Sequence, residues 1–283
     1  SQRRTPTESL RRSYLTLATV AVVVLAFVSV GIGAYDLSFA SVATALVSPN
    51  EVDVTAVLAD LEDAVVLFVS RIPRTIAIVL VGLSMGVAGM IMQMLSRNKF
   101  VAPSTAGTIE SASLGILIAT MFIPNAPVVA KMGVAAAFAL AGTALLLLIL
   151  RRVPLRSPLV VPLIGLMLGG VIAAFTTFLA YRYNFLQSLA AWTTGDFSRV
   201  LRGRYELLWI SAGLTVVAYI AADRFTVAGM GESFTKNLGI NYARVVAIGL
   251  AIVSMITAVN VVTVGAVPFI GLVVPNVVSL MIG

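Results

Sequence analysis

Long stretches without a charged residue alternate with short charged segments along the whole chain. The charge-free stretches cover residues 13–35, 75–96, 111–130, 132–150, 157–181, 207–222 and 245–283. A membrane-spanning helix needs about 20 apolar residues, because each residue adds about 1.5 Å and the hydrocarbon core is about 30 Å thick. The pattern therefore predicts an all-α, polytopic transmembrane protein.

The last charge-free stretch, residues 245–283, is too long for one crossing. As one straight helix its 39 residues would extend about 58 Å, roughly twice the hydrocarbon core. Gly265 and Pro268 predict a break, because glycine is permissive and proline lacks the amide hydrogen of a helical ladder. Non-helical backbone at membrane depth must be buried in protein or line a wet cavity. The split gives eight predicted spans and places a passage beside the break.

Composition supports this class and narrows the chemistry. Hydrophobic residues make up 59% of the chain and charged residues 11%, with a mean hydropathy of +1.04, well outside the usage of soluble domains. Cysteine and histidine are both absent, which removes disulfides, thiol chemistry, histidine proton relays and the usual zinc ligand set. We therefore predict no metal site and no cofactor, and any metal that passes through must arrive already chelated.

The placement of lysine and arginine predicts a cytoplasmic N-terminus. In that orientation, 12 of the 19 basic residues and 4 of the 12 acidic residues lie in cytoplasmic segments. The charge is then 12 − 4 = +8 inside and 7 − 8 = −1 outside, so the basic balance needs no nucleic acid. A single transmembrane domain, 1–283, then has a cytoplasmic N-terminus at 1–12, an extracellular loop at 36–70 and a cytoplasmic loop at 223–244. The first apolar run is too long for a cleavable signal peptide.

Two arginines stand close together at the outer end of the second predicted span. Arg71 and Arg74 flank Ile72 and Pro73, and the proline fixes the backbone between them. Fixed guanidinium groups suit bidentate capture of carboxylates on a partner protein, whereas the alternative is interfacial anchoring of the span. We predict that this pair docks an extracellular partner.

The residue pattern of the cytoplasmic loop 223–244 predicts a short helix between two glycines, Gly231 and Gly239. Glu232 stands in its first turn and Lys236 near its end, as the helix dipole favours. The chain has no Gly-x-x-x-x-Gly-Lys-Ser/Thr phosphate loop, so it cannot bind ATP by that route and energy must come from a partner or an ion gradient. A compact helix between two spans suits a groove on an ATPase, and the alternative is an ordinary interfacial helix. The residues predicted to make the ATPase contact are Gly231, Glu232, Ser233, Lys236, Asn237, Leu238 and Gly239.

Polar and flexible side chains within the spans mark candidate positions along a passage. An intramembrane amide such as Gln93 faces protein or water rather than lipid, and flexible methionines near it could yield to a bulky cargo. Residues 184–195 have helical spacing but are too short to cross, which predicts a re-entrant or surface helix. The candidate pathway residues are Met90, Gln93, Met94, Trp192, Gly195 and Pro268.

Several residues in the spans have two interpretations. Glu110 is either a gate residue or a solvated interfacial carboxylate. Trp192 is either part of the passage or an interface anchor, and the methionines are either its wall or ordinary packing. The glycines at 82, 86 and 89 have a small-residue spacing that lets helices approach closely, so packing is their predicted role.

Several ordered motifs carry a family resemblance that runs from about residue 13 to the end of the chain. They are RIPRT at 71–75, the glycines at 82, 86 and 89 followed by Gln93, RNKFVAP at 97–103, WTTG at 192–195, GESFTKNLGIN at 231–241 and GAVPFIGLVVPN at 265–276. Together they resemble the FecCD family, the permease subunits of ABC importers for iron chelates, haem and cobalamin.

The resemblance implies roles for several of these segments. In the family the arginines matching Arg71 and Arg74 meet glutamates on a substrate-binding protein, the loop matching 223–244 docks ATPase subunits, and the helix matching 184–195 lines the outer mouth of the pathway. The family fold has ten spans with both termini inside, so we expect about two C-terminal spans to be missing from this sequence.

Two departures from the common family pattern point to one branch. RNKFV at 97–101 stands where many members have Arg-Asn-Pro-Leu-Ala, and Asn276 stands where histidine is common. The sequence NKFVAPSTAGT at 98–108 resembles that of the family branch associated with catecholate and related ferric siderophores. That branch usually pairs two different permease subunits.

The resemblance and the residues together predict a non-enzymatic permease subunit of a binding-protein-dependent ABC importer in the bacterial plasma membrane. The expected cargo is an iron-siderophore complex, with haem or cobalamin as alternatives. The expected partners are cytoplasmic ATPase subunits, an extracellular or periplasmic binding protein, a second permease subunit and membrane lipid. An ion-gradient-driven secondary transporter is the alternative from another class, disfavoured by the lack of histidine and of an acid firmly inside a span. A passive channel is disfavoured because no repeated filter occurs.

Overall fold

The computed structural model describes residues 6–31, 67–150, 152–153, 159–203 and 205–282. Within these ranges the chain forms α-helices joined by short turns, with no strand, so the predicted all-α class is confirmed. Residues 36–66 of the predicted extracellular loop lie outside the described ranges, as do residues 1–5 of the predicted cytoplasmic N-terminus.

The described residues form eleven α-helices. In chain order they are α1 (Pro6–Gly31), α2 (Ile72–Ser96), α3 (Thr108–Phe122), α4 (Val128–Leu150), α5 (Val160–Arg182), α6 (Leu186–Thr193), α7 (Leu208–Ile220), α8 (Ala222–Gly229), α9 (Glu232–Asn237), α10 (Tyr242–Val264) and α11 (Ile270–Ile282). A π-helical turn, Leu67–Arg71, leads directly into α2.

Five of these helices, α1, α2, α4, α5 and α10, contain a stretch long and apolar enough to cross a membrane. They have 23 to 26 residues, or about 35 to 39 Å of helix, which exceeds the hydrocarbon core of about 30 Å. The chain is therefore a multi-pass membrane protein.

Three other predicted spans differ from a straight crossing helix. The predicted span 207–222 is a bent pair, in which Tyr205–Ile220 and Ala222–Gly229 meet at 61° and count together as a sixth crossing. The helices α3 and α11 have only 15 and 13 residues, about 22 and 20 Å, and each follows a stretch of turns or extended backbone. All eight predicted spans are thus apolar helices within the described residues, but α3 and α11 are too short to cross alone, and α7 is long enough only together with α8.

The short helices outside the spans lie where the sequence predicts them. Helix α6 falls within the predicted segment 184–195, and α9 lies between Gly231 and Gly239, whose φ angles are +117° and +73°. Glycine adopts positive φ at little cost, so it can begin and end this helix sharply. The loop 223–244 differs in one respect, because it also contains α8. No glycine or proline follows Ile220 until Gly229, so the chain resumes a helix instead of a loop.

The core of the bundle is built on α2 and α10, which are the most buried of the crossing helices. Helix α2 contacts α7, α10 and α11, and α10 also contacts α3 and α4. Apolar residues on these two helices are fully buried, among them Val81, Ala88, Val253, Ile256 and Val259. Close packing of this kind holds helices together in a bilayer, where the hydrophobic effect gives little drive for helix association.

Small residues allow α2 and α11 to touch. A Cβ at Gly89 would overlap the carbonyl oxygen of Gly271, and one at Gly86 would contact Val274 at 3.4 Å. The predicted packing role is therefore confirmed for Gly86 and Gly89. For Gly82 it stays a prediction, because none of the described residues lies within 4 Å of a Cβ at that position.

A buried polar network joins three helices of the core. Asn260 of α10 donates from Nδ2 to Ser84 Oγ of α2 at 3.0 Å. Ser211 of α7 donates from Oγ to Asn260 Oδ1 at 3.2 Å. All three residues are buried, and side-chain hydrogen bonds between helices fix their relative positions in a membrane.

Candidate functional site

The predicted break between α10 and α11 is confirmed: α10 ends at Val264 and residues 265–269 are not helical. Backbone hydrogen bonds hold the start of the break against the segment that follows α6. Asp196 N donates to Val264 O at 2.8 Å, and Ala266 N donates to Trp192 O at 2.9 Å. Protein partners thus satisfy backbone groups that hydrocarbon could not.

The end of the break contacts the turns that precede α3. Phe269 N donates to Ser104 Oγ at 3.3 Å, and Asn276 Nδ2 of α11 donates to Lys99 O at 2.9 Å. Residues 97–107, which include the 3-10 turn Pro103–Thr105, therefore lie beside the break. Two non-helical segments meet here in the middle of a helical membrane protein, which makes this the candidate site.

Glycine is required where these segments touch. Gly265 has φ +85° and ψ −177°, a combination that is essentially restricted to glycine. A Cβ at Gly265 would overlap Thr194 O, and one at Gly195 would lie 2.6 Å from Ala266 O. The absence of both side chains lets the two backbones pack directly together.

Three of the predicted pathway residues, Trp192, Gly195 and Pro268, surround this contact. Trp192 is half-buried, packs on the hydrophobic core and borders a cavity of about 360 Å³ together with Lys131 and Thr263. Gly195 and Pro268 are exposed. The structure therefore places these three at one surface that a passing molecule or a partner subunit could reach.

The other predicted pathway residues, Met90, Gln93 and Met94, lie on the last two turns of α2. Met90 is 40% exposed, whereas Met94 is half-buried against the core. The Nε2 atom of Gln93 is buried and has no hydrogen-bond partner among the described residues. A buried amide without a partner is costly, which makes Gln93 the most conspicuous polar group on this part of α2.

Glu110 lies in the first turn of α3 and borders a second cavity, of about 190 Å³. Its Oε2 atom is buried and has no hydrogen-bond partner among the described residues. This position does not fit the interpretation of a solvated interfacial carboxylate. The carboxyl group is instead enclosed by protein near the start of α3.

The exposed face of α9 and its flanks combines polar and apolar side chains. Glu232 and Lys236 form an ion pair at 2.8 Å, and Ser233, Asn237, Leu238 and Gly239 are exposed. Met230, Phe234 and Leu238 are 60%, 47% and 55% exposed and follow one another at intervals of four residues. We call these three residues the apolar row.

Contacts at the start and in the middle of α9 hold this face in place. Thr235 is fully buried, and its Oγ1 bonds to Gly231 O at 2.7 Å and Val227 O at 3.1 Å. A Cβ at Gly231 would lie 3.3 Å from Arg97 Nη1, at the end of α2. The apolar row thus lies on a short helix and its two flanks, which are packed against the bundle.

The sequence profile of the FecCD transport family matches residues 21–283. This chain belongs to the FecCD transport family. The resemblance inferred from its motifs is therefore confirmed, and the match includes every motif that carried it.

Two named permeases illustrate the sequence identity between this FecCD chain and its relatives. The petrobactin import system permease protein YclN of Bacillus subtilis is 48% identical over 266 residues, which cover 93% of this chain and 79% of that protein. The ferric-anguibactin transport system permease protein FatD of Vibrio anguillarum is 44% identical over 214 residues, which cover 76% of this chain and 68% of that protein.

A solved structure shares the fold. It is described as a metal-chelate type ABC transporter in an inward-facing conformation, and it superposes with a TM-score of 0.72 over 96% of this chain and 82% of its own. The sequence identity is 21%, so this likeness supports the FecCD helix arrangement alone.

The two arginines of the FecCD motif at 71–75 occupy different environments. Arg71 is 6% exposed and donates from Nη1 to Val30 O of α1 at 3.2 Å. Arg74 is half-buried, with a buried Nε that has no hydrogen-bond partner among the described residues. The structure differs here from the expected pair of exposed guanidinium groups, because α1 packs over Arg71.

Asp196 lies near Arg74 in the segment after α6. Hydrogen bonds from the Ser198 side chain and backbone lower the pKa of Asp196, and the charges of Arg199 and Arg74 lower it further. Asp196 also forms an ion pair with Arg199 at 3.1 Å, and Arg202 N donates to Val69 O at 3.0 Å. The start of α2 and the segment 196–203 thus form one continuous surface, which we call the arginine surface.

Two features escaped the sequence analysis for different reasons. The apolar row has a readable signal, since Met230, Phe234 and Leu238 repeat at four-residue intervals next to polar residues. The hydroxyl groups around Glu110 have none, because Ser113, Thr176 and Thr193 come from three different helices. Only the packing of those helices brings them to one cavity.

Proposed function

We propose that this chain is the permease subunit of a binding-protein-dependent ABC importer that moves a ferric siderophore across the bacterial plasma membrane. The observation that carries the proposal is its membership of the FecCD family together with 48% and 44% identity to permeases named for petrobactin import and ferric-anguibactin transport. The proposed orientation has the N-terminus in the cytoplasm, as the distribution of basic residues predicts.

Energy comes from partner ATPase subunits, and the chain itself is not an ATPase in this proposal. The absence of a phosphate loop from the sequence supports it. The apolar row on α9 and its flanks supplies a contact surface, because three exposed apolar side chains close together in the chain suit docking into a hydrophobic groove. The ion pair Glu232–Lys236 stabilises the helix that carries this surface.

Cargo arrives on the outer side from a binding protein that docks at the arginine surface. Arg199 and Arg202 are exposed, and Arg74 lies close enough to influence Asp196. Guanidinium groups recognise carboxylates with defined geometry, so we expect acidic residues on the binding protein. Arg71 has a positioning role in this scheme, since it holds the start of α2 against α1.

The passage runs past the break, where Trp192, Gly195 and Pro268 meet, and along the end of α2 with Met90, Gln93 and Met94. Non-helical backbone and the unpartnered amide of Gln93 support a water-accessible path or a partner permease at this face. A second permease subunit completes the pathway in our proposal.

Reconstitution of the complete importer in proteoliposomes tests this function. The assay measures uptake of ⁵⁵Fe-labelled ferric siderophore with the binding protein outside and ATP inside. We expect uptake that needs ATP, stops with vanadate and continues when ionophores collapse all ion gradients. Uptake that survives without ATP and follows a proton or sodium gradient would instead support the secondary transporter, for which the buried Glu110 is a candidate coupling group.

A further inference from the structure

The cavity beside Glu110 has a lining that restricts what it can bind. It lies between α3, α5, α6 and the break, with a volume of about 190 Å³, and its polar lining consists of Glu110, Ser113, Thr176, Thr177 and Thr193. Glu110 Oε2 has no hydrogen-bond partner among the described residues. The two ion pairs found among those residues, Asp196–Arg199 and Glu232–Lys236, do not involve Glu110.

The hydroxyl hydrogens of this lining are already used. Each hydroxyl donates to a backbone carbonyl one turn earlier in its own helix, at 3.0 Å for Ser113, 2.7 Å for Thr176, 2.8 Å for Thr177 and 3.0 Å for Thr193. A hydroxyl that has donated its hydrogen retains lone pairs as acceptors, and an ionised carboxylate only accepts. The cavity therefore presents hydrogen-bond acceptors and, with Glu110 ionised, one negative charge.

The complement of such a lining is a positively charged hydrogen-bond donor. We propose that this cavity binds a protonated amine arm of the transported chelate, with Glu110 as its counter-ion. An ammonium group offers three donors and no acceptor, and charge-assisted bonds to a carboxylate are about twice as strong as neutral ones. This inference rests on the proposed import function and specifies the chemical class of its cargo.

The size of the cavity fits one arm of a chelate better than a bare ion or a whole chelate. A single water occupies about 10–15 Å³ by the same kind of measure, so 190 Å³ is far more than one metal cation fills. Pockets for whole drug-sized ligands measure about 300–1,000 Å³. The bulk of a chelate would thus stay in the passage while one arm enters the cavity.

The position of the cavity places it along the proposed passage. Thr193 and Leu189 of α6 and Ala266 of the break are part of its lining. The same residues adjoin Trp192, whose carbonyl oxygen accepts from Ala266 N. The cavity therefore adjoins the break, where cargo on the proposed passage would meet it.

A paired-substrate uptake assay with the complete importer in proteoliposomes tests the proposal. The probes are a synthetic ferric tris-catecholate that carries one primary-amine arm and the same chelate with that amine acetylated. The binding protein is identical in all assays, so its own preference cancels when the uptake ratio of each variant is compared with that of the unmodified importer. The variants are Glu110→Gln, Glu110→Asp and, as an exposed carboxylate outside the cavity, Glu206→Gln.

We expect Glu110→Gln to lower uptake of the amine chelate about tenfold or more, since a bond to a charged group is lost, with little change for the acetylated chelate. Glu110→Asp should retain part of the preference, and Glu206→Gln should match the unmodified importer. Equal loss for both chelates, or an unchanged ratio, would overturn the proposal. So would sodium-dependent uptake that Glu110→Gln abolishes for both, which would indicate a metal-cation site.

Failure of the proposed function looks different in the same experiment. If the unmodified importer takes up neither chelate with ATP, the import function itself is contradicted. If the unmodified importer transports both and only the Glu110→Gln ratio stays unchanged, the import function stands and the amine site is rejected.

Discussion

Gly265 joins two observations at a single residue: its backbone conformation excludes other residue types, and its missing side chain makes room for Thr194 O. We expect Gly265→Ala to lower the melting temperature of the purified protein and to reduce uptake. An L residue in this region costs about 1–3 kcal/mol in backbone strain alone, and the overlap adds to it. Intrinsic fluorescence during a thermal ramp measures the effect.

The matched control is Gly133→Ala, because Gly133 faces open space among the described residues and has no positive φ. A melting temperature of Gly265→Ala equal to that of this control would contradict the packing described for the break.

The two neighbouring arginines should respond differently to charge reversal. We expect Arg74→Glu to insert normally and keep basal ATPase activity in the assembled importer, but to lose stimulation by the binding protein, because like charges at a docking surface cost several kcal/mol. We expect Arg71→Glu to reduce the yield of folded protein, since it buries a carboxylate where Val30 O needs a donor.

Arg152→Glu, an exposed substitution at the opposite end of the bundle by the predicted topology, is the control for both. ATPase assays with and without binding protein, together with size-exclusion profiles, separate the two defects. Full stimulation of the Arg74→Glu variant would remove Arg74 from the docking surface.

At the scale of elements, the sequence predicts helix boundaries best where helix-breaking glycine and proline residues lie. Gly265 with Pro268, and Gly231 with Gly239, locate the break and α9 to within a residue or two, because their backbone preferences act locally. The bend between α7 and α8 lies at Ala221 and carries no such signal. It is set by how both helices pack on α2, which is information from distant parts of the chain. For the same reason Arg71 was expected on the surface, since only the position of α1 buries it.

The apolar row gives α9 and its flanks a prediction of their own. We expect the double variant Phe234→Ala and Leu238→Ala to weaken association with the ATPase subunits about 10- to 100-fold, because exposed apolar anchors of this kind contribute about 1–3 kcal/mol to an interface. Pull-down of the ATPase and ATP-driven uptake measure the loss.

Thr226→Ala serves as the control, since Thr226 is exposed on the adjacent helix and bonds only within it. An ATPase contact that persists in the double variant would show that the row is not the docking surface.

At the scale of the whole molecule, the chain has no cysteine, so a single introduced cysteine reports one position. We expect cysteines at Thr263 and Pro268 to react with a membrane-impermeant maleimide added outside the cell. One at Met281, which is exposed near the end of α11, should react only after the membrane is opened. These outcomes follow from the predicted topology, in which the chain turns back at the break on the outer side and α11 runs inward. Labelling of Met281 from outside would reverse the orientation.

Helix α2 and the π-helical turn before it form one unbroken rod from Leu67 to Ser96, about 45 Å long at 1.5 Å per residue. Arg74 lies near one end of this rod, the outer one by the predicted topology, and Arg97 follows the other end beside Gly231, where α9 begins. A stiff rod that pivots by 5° about Gly89 moves its Leu67 end by about 3 Å and its Ser96 end by about 1 Å in the opposite direction, at 1.5 Å per residue. The contact between Gly89 and Gly271 lies along this rod, and we expect the rod to turn about this point. In the proposed importer, a tilt of α2 would then couple docking of the binding protein near Arg74 to the ATPase contact near α9.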